Sequence, residues 1–330
     1  MNESGTYRKV LMKVSELREK IKDYSKNDLE KVLVELYKSI PKKIKEEKEV
    51  DDIIVNAGKP VTLKKDIIDY DDLANEVLSF ISNVDDGLYA RPNRIISKTE
   101  RSKWRFKVKN YYKNLIKIPL DSENGIGATN LLIMLYNRLS TGSIYLAFSS
   151  WNTFGALGIS QNDYFYTLMS RILFNGIDKN SLTKCALILN NYTDSNNFSK
   201  ANYYTFRSFL NTVEEKKLGI EVLLELKGSI KNKLSKINGD SLKYEYNNRI
   251  SLIDSCIMEI YFTMNMVFEG IKYINSASAK KKSDIYNLIL SSLKEEELYK
   301  DWLKIYEKFK NLFPSYYDVH DDYEEIKNKV

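Results

Sequence analysis

The chain has 330 residues and a formal charge of +6, with 43% apolar residues but only 5 Pro and 13 Gly. That apolar content excludes a disordered chain, and so few breakers fit long helices better than a sandwich or barrel with many turns. Two cysteines, Cys185 and Cys256, exclude a disulfide framework and read as buried free thiols in apolar runs.

The length fits two domains or one elongated array. The 24 tyrosines, with abundant Lys, Ile and Asn, match the codon usage of an AT-rich, bacterial-type genome. Residues 1–6 contain no apolar core of a secretory signal, which points to a cytoplasmic protein. The most apolar stretch, Ile250 to Ile274, contains Asp254, Glu259 and Glu269, so no membrane span is expected.

In chain order, Val14, Leu17, Ile21 and Tyr24 recur at helical spacing. Ser25 then reads as an N-cap, with Asp28 three positions on, opening a helix through Leu29, Val32, Leu33, Leu36 and Tyr37 towards Pro41. A charged stretch from Lys42 to Asp52 leads to the breaker Asn56-Ala-Gly-Lys-Pro60. The expected division is therefore a small N-terminal helical region, 1–58, and a main helical body, 59–330.

Asp71 to Val84 predicts a helix closed by Asp85-Asp-Gly87, and Arg91-Pro92 opens a polar connector. Further helices are predicted over 102–116, 128–139, 162–174, 181–190, 201–216, 219–234, 241–275, 283–293 and 295–313. In the last, Leu298, Trp302, Ile305, Phe309 and Leu312 form an apolar stripe expected to bury Trp302 and Phe309. Residues 143–149 are the one β-prone stretch singled out. The expected fold class is all-α, an irregular helical bundle or stacked helical hairpins of the α-solenoid kind, with little or no strand.

The charge is unevenly placed. Residues 91–117 hold ten basic side chains against the single acid Glu100, a local +9 that leaves −3 for the rest of the chain. Trp104, Val108, Tyr111 and Leu115 step by four, three and four and line one helix face. Arg101, Arg105, Lys109, Lys113 and Lys117 step by four around the opposite side. A solvated helix face normally interleaves Glu with Lys, because like charges repel at this spacing. A ridge without acids attracts phosphates or an acidic protein surface. Arg91, Arg94, Arg101, Arg105, Lys109, Lys113 and Lys117 are the candidate contacts.

Thr153-Phe-Gly-Ala-Leu-Gly-Ile-Ser-Gln161, followed by Tyr164, resembles the turn of a DNA-binding helix-turn-helix. Gly158 would permit the turn, Leu157 and Ile159 would pack, and Ser160-Gln161 would open the reading helix. Phe154 departs from the motif, which takes a small residue there, and Asp163 would repel phosphate. The same residues also read as a helix C-cap followed by an N-cap.

Glu225-Leu-Lys227 superficially resembles the Glu-x-Lys element of restriction-type nucleases, which hold Mg²⁺ on strand carboxylates. The flanking residues read instead as an amphipathic helix. His320 is the only histidine and lies near the end of the chain, a poor platform for a catalytic triad. One His and two distant Cys give no zinc spacing.

No cofactor is expected. The expected function is that of a non-catalytic helical adaptor or scaffold meeting a protein partner. The alternatives are a DNA- or RNA-binding protein using residues 91–117, and thirdly a metal-dependent nuclease.

Overall fold

The computed structural model describes residues 14–47, 50–55, 69–90, 95–144, 147–150, 152–190, 196–278, 280–314 and 317–330. The expected breaker at 56–60, the start of the polar connector at Arg91-Pro92, and the candidate contacts Arg91 and Arg94 lie outside the described residues. Residues 143 and 144 end a helix, and 145–146 of the β-prone stretch lie outside them as well. Helix makes up 76% of the chain, and no strand forms among the described residues.

The chain forms two units, Met1–Ile67 and Ile68–Val330. The first contains α1 (Val14–Ile21), α2 (Lys26–Ser39), α3 (Lys42–Glu47) and α4 (Val50–Val55). Ser25 caps α2 as its position predicts, its hydroxyl accepting from the Asp28 amide at 3.2 Å.

The second unit is an all-α bundle. It opens with α5 (Tyr70–Asp85), α6 (Lys98–Ser102), α7 (Trp104–Leu115), α8 (Gly125–Ile144), α9 (Thr153–Leu157) and α10 (Gln161–Ile172). It continues through α11 (Lys179–Leu189), α12 (Asn196–Ser208), α13 (Val213–Leu234) and α14 (Asp240–Thr263). α15 (Val267–Ala277), α16 (Lys282–Glu295), α17 (Tyr299–Phe309) and α18 (Val319–Lys327) complete it.

One core runs from α5 to α14, with Trp104, Leu132, Tyr136, Phe165 and Phe206 fully buried in it. A second, built on Met258, Phe262, Leu290 and Trp302, joins α14 to α16, α17 and α18. α14 contributes to both, so the two cores share one helix as a wall.

Two predicted helices are divided. The span 201–216 breaks after Ser208, because Thr212 and Glu215 form a reciprocal capping box that starts α13. Gly219, expected to begin a helix, instead lies inside α13. A β-carbon there would stand 2.5 Å from Leu210 Cδ1, so its smallness permits close packing. The long helix expected over 241–275 breaks at Asn265, which adopts φ 58°, a left-handed conformation that asparagine tolerates better than most residues. α15 then folds back on α14, and Gly270 allows the approach: a β-carbon there would lie 2.8 Å from the Phe262 ring.

At the C-terminal end Trp302 is fully buried, as its stripe predicts. Phe309 is only half-buried, its ring 3.9 Å from that of Tyr286. His320 does not sit in a loose tail. It lies in α18, where Nδ1 accepts from the Tyr306 hydroxyl at 2.9 Å and Nε2 donates to the Pro314 carbonyl at 3.2 Å.

Candidate nucleic-acid interface

The helix α7 is built as its spacing predicts. Trp104, Val108, Tyr111 and Leu115 are all buried, and Trp104 packs on Phe148 with ring centroids 4.4 Å apart. Three contacts fix the helix on the body. It packs on α8 and α9, and the Tyr112 hydroxyl meets Thr167 Oγ1 of α10 at 3.0 Å. Arg171 of α10 binds the carbonyls that follow the C-terminus of α7, Ile116 at 3.4 Å and Ile118 at 3.2 Å. The same guanidinium reaches Thr129 Oγ1 and the Gly125 carbonyl at the start of α8. Among the described residues this buried cation meets no carboxylate, and the negative end of the α7 dipole stabilises it.

The opposite side of α7 carries the charge. Arg105, Lys107, Lys109, Lys113 and Lys117 are exposed, and none makes an ion pair among the described residues. Arg101 is half-buried in α6. Lys103 meets Glu100 at 2.5 Å, and together with Lys107 nearby it holds the Glu100 carboxyl below its ordinary range.

Basic side chains elsewhere in this unit find acids readily. Lys179 binds Glu221 and Glu225, Arg138 binds Asp85, and Lys294 binds Asp322. Among the described residues, the internal neutralisation that would make the ridge ordinary is therefore missing at Arg105, Lys109 and Lys113.

Two features flank the ridge. On one side the Lys109 ammonium lies against Gly158, 3.7 Å from where a β-carbon would stand. On the other, α5 and α7 both pack on α8 and leave a groove of about 570 Å³ between them. Its walls are Asn75, Glu76, Ser79 and Asn83 of α5 and Lys107 and Asn110 of α7. Phe80, Tyr89 and Tyr111 form its floor. The side chains of Asn75, Ser79 and Asn83 make no hydrogen bond among the described residues.

The helix-turn-helix resemblance is realised only in its backbone. Gly158 takes φ 67° between α9 and α10, and Ser160 caps α10 by accepting from the Asp163 amide at 2.9 Å. Gln161, the expected reading residue, is 1% exposed and donates to Tyr136 Oη at 3.1 Å and Ser140 Oγ at 3.3 Å. Tyr164 is fully buried, its hydroxyl on the Leu132 carbonyl. The start of α10 thus faces α8, and Gln161 has no path to a base edge.

Glu225 and Lys227 lie on α13, a helix rather than a strand. Glu225 pairs with exposed Lys179, while Lys227 is buried on Asp254. Among the described residues no three His, Cys, Asp or Glu side chains are grouped to hold a metal. Burial pushes the Cys185 thiol up to about 12 and raises Cys256 further, so neither offers a thiolate. No helix among the described residues is long and apolar enough to cross a membrane.

The sequence pattern does not single out Phe106. It is 62% exposed on the outward side of α7, with the Arg105 guanidinium 4.9 Å from its ring centroid. Its offset of two from both Trp104 and Val108 was the available signal, because that step turns a helical residue about 200° away from the buried stripe. The groove residues of α5 were also legible in principle, since Asn75, Ser79 and Asn83 repeat every four. No known protein family, curated protein or solved structure matches the chain.

Proposed function

We propose that the protein is a non-catalytic helical binding protein that holds nucleic acid on the outward face of α7. The observation that supports this reading is the run Arg105, Lys109 and Lys113, one side chain per helical turn, all exposed and none paired with an acid among the described residues. Like charges so arranged repel one another at rest, and phosphates relieve that repulsion while releasing their condensed counterions. Among the described residues no acid set is grouped beside these side chains, which fits binding better than metal-assisted phosphodiester cleavage.

The test is a binding titration on DNA and RNA at several salt concentrations. The logarithm of affinity should fall linearly with the logarithm of salt, by roughly 0.9 per neutralised phosphate on duplex DNA. Arg105→Gln with Lys109→Gln should flatten that slope by about two and weaken all sequences alike, because phosphates carry no sequence information. The fold should survive, since Trp104, Val108, Tyr111 and Leu115 are untouched. Failure to bind either nucleic acid at about 50 mM salt, where the electrostatic term is favoured, would overturn the reading. The ridge would then be assigned to an acidic protein surface.

A further inference from the structure

We infer that the ligand of this face is single-stranded, with its phosphates on one flank of α7, a base stacked on Phe106 and base edges in the α5–α7 groove. The inference rests on the nucleic-acid reading above and adds the strand state and the residue that selects it.

The geometry of α7 orders these groups. Helical rotation places Lys109 and Asn110 about 130° to either side of the buried stripe, with Phe106 between them on the crest. The flank of Arg105, Lys109 and Lys113 carries no acid on α7. The other flank carries Lys107 and Asn110, which open into the groove. Phe106 is therefore a boundary between a phosphate-binding side and a hydrogen-bonding side.

Each side has an unmet need. Phe106 exposes most of an apolar ring to water in the first turn of α7, with Arg105 and Lys107 as its chain neighbours. A flat base covers such a ring, and the Arg105 guanidinium already over it adds a cation to the stack. The groove offers Asn75, Ser79 and Asn83 one turn apart on α5, none of them hydrogen-bonded among the described residues. Asparagine presents a donor and an acceptor together, which matches the edge of a base.

A duplex cannot use the exposed ring. Its bases are stacked on one another and paired, so no π-face is free to lie on a convex helix crest. A single strand splays its bases at no such cost. It meets the ridge with phosphates on one side and bases on the other.

The experiment compares oligonucleotides of about 12 nucleotides, a length within the site sizes of single-strand binders, as single-stranded RNA, single-stranded DNA and duplex DNA. The unmodified full chain should bind a single strand more tightly than the duplex at the same salt. Phe106→Ala should weaken single-strand binding by about 5- to 150-fold, the factor expected for one lost base–aromatic stack, with duplex binding and salt slope unchanged. Phe106→Trp should retain the affinity. Because Phe106 is exposed, the melting temperature of each variant should match that of the parent protein. The Asn75→Ala and Asn83→Ala pair should level the affinities for different homopolymers. A difference between the RNA and DNA arms identifies which strand the site takes. Equal or tighter binding of duplex, or Phe106→Ala without effect on the single strand, overturns the inference and leaves the nucleic-acid reading standing. Binding of none of the three overturns both.

Discussion

The Tyr273 hydroxyl of α15 donates to Asp254 Oδ1 of α14 at 2.6 Å, across the joint where the predicted long helix folds back on itself. The same oxygen takes the Lys227 ammonium from α13, and both charged side chains are buried. Three helices thus meet on one carboxylate.

Removing one partner of such a pair leaves the other charge buried and uncompensated. Lys227→Met should therefore destabilise the fold by about 3–5 kcal/mol. The double variant Lys227→Met, Asp254→Leu should recover most of that loss, because no charge is then stranded. Denaturant titrations of the single and double variants check this. A double variant as unstable as Lys227→Met alone would show that the pair does more than neutralise itself.

Trp302 and Phe309 should part company on truncation. Trp302 is fully buried and stacks on Tyr306 at 5.1 Å, so Trp302→Ala should cost about 3–5 kcal/mol. Phe309 is half-buried, and its truncation should cost distinctly less. Trp302→Phe should also be mild, since the buried indole N–H has no acceptor among the described residues. Denaturation midpoints of the three variants rank these effects, and equal losses for Trp302→Ala and Phe309→Ala would contradict the packing described.

Glu259 gives the stability a pH dependence. Burial raises its carboxyl above the ordinary value, outweighing the nearest opposing charge, Arg207, at 3.6 Å. The folded state therefore holds this proton to a higher pH than the unfolded chain, whose glutamate titrates near about 4.3. Its contribution should fall as pH rises from there through the folded value and level off above it. Glu259→Gln should remove that segment of the profile. Melting temperatures of both proteins between mildly acidic and neutral pH measure it, and parallel profiles would count against the assignment.

Much of the fold was legible because burial imposes its period on apolar residues. The stripe of Trp104, Val108, Tyr111 and Leu115 is one example, while the Ser25 cap of α2 was legible from capping chemistry instead. The failures occur where a short polar signal interrupts a continuing apolar period. Thr212 and Glu215 spell a capping box inside an apparent helix, and Asn265 turns the chain within an apolar run. In both places local capping and backbone preference overrode periodicity. The basic ridge was visible as composition, but its state of pairing was not, because pairing depends on which distant acids the fold brings near. Gln161 illustrates the same limit: its motif fixes a local turn, while α8 determines that the side chain points inward.

Arg171 gives α7 a further property. One guanidinium grips the two carbonyls beyond the end of α7 and the first carbonyl of α8, so that sliding or tilting α7 would break several bonds together. The C-terminal end of α7 is consequently tied to α8 and α10 through one side chain. If a single strand settles there as proposed, it must surrender its own conformational freedom on a helix already tied in place. Affinity should then track the persistence of the oligonucleotide, and strands already stiffened by their own base stacking should begin with an advantage over slack ones.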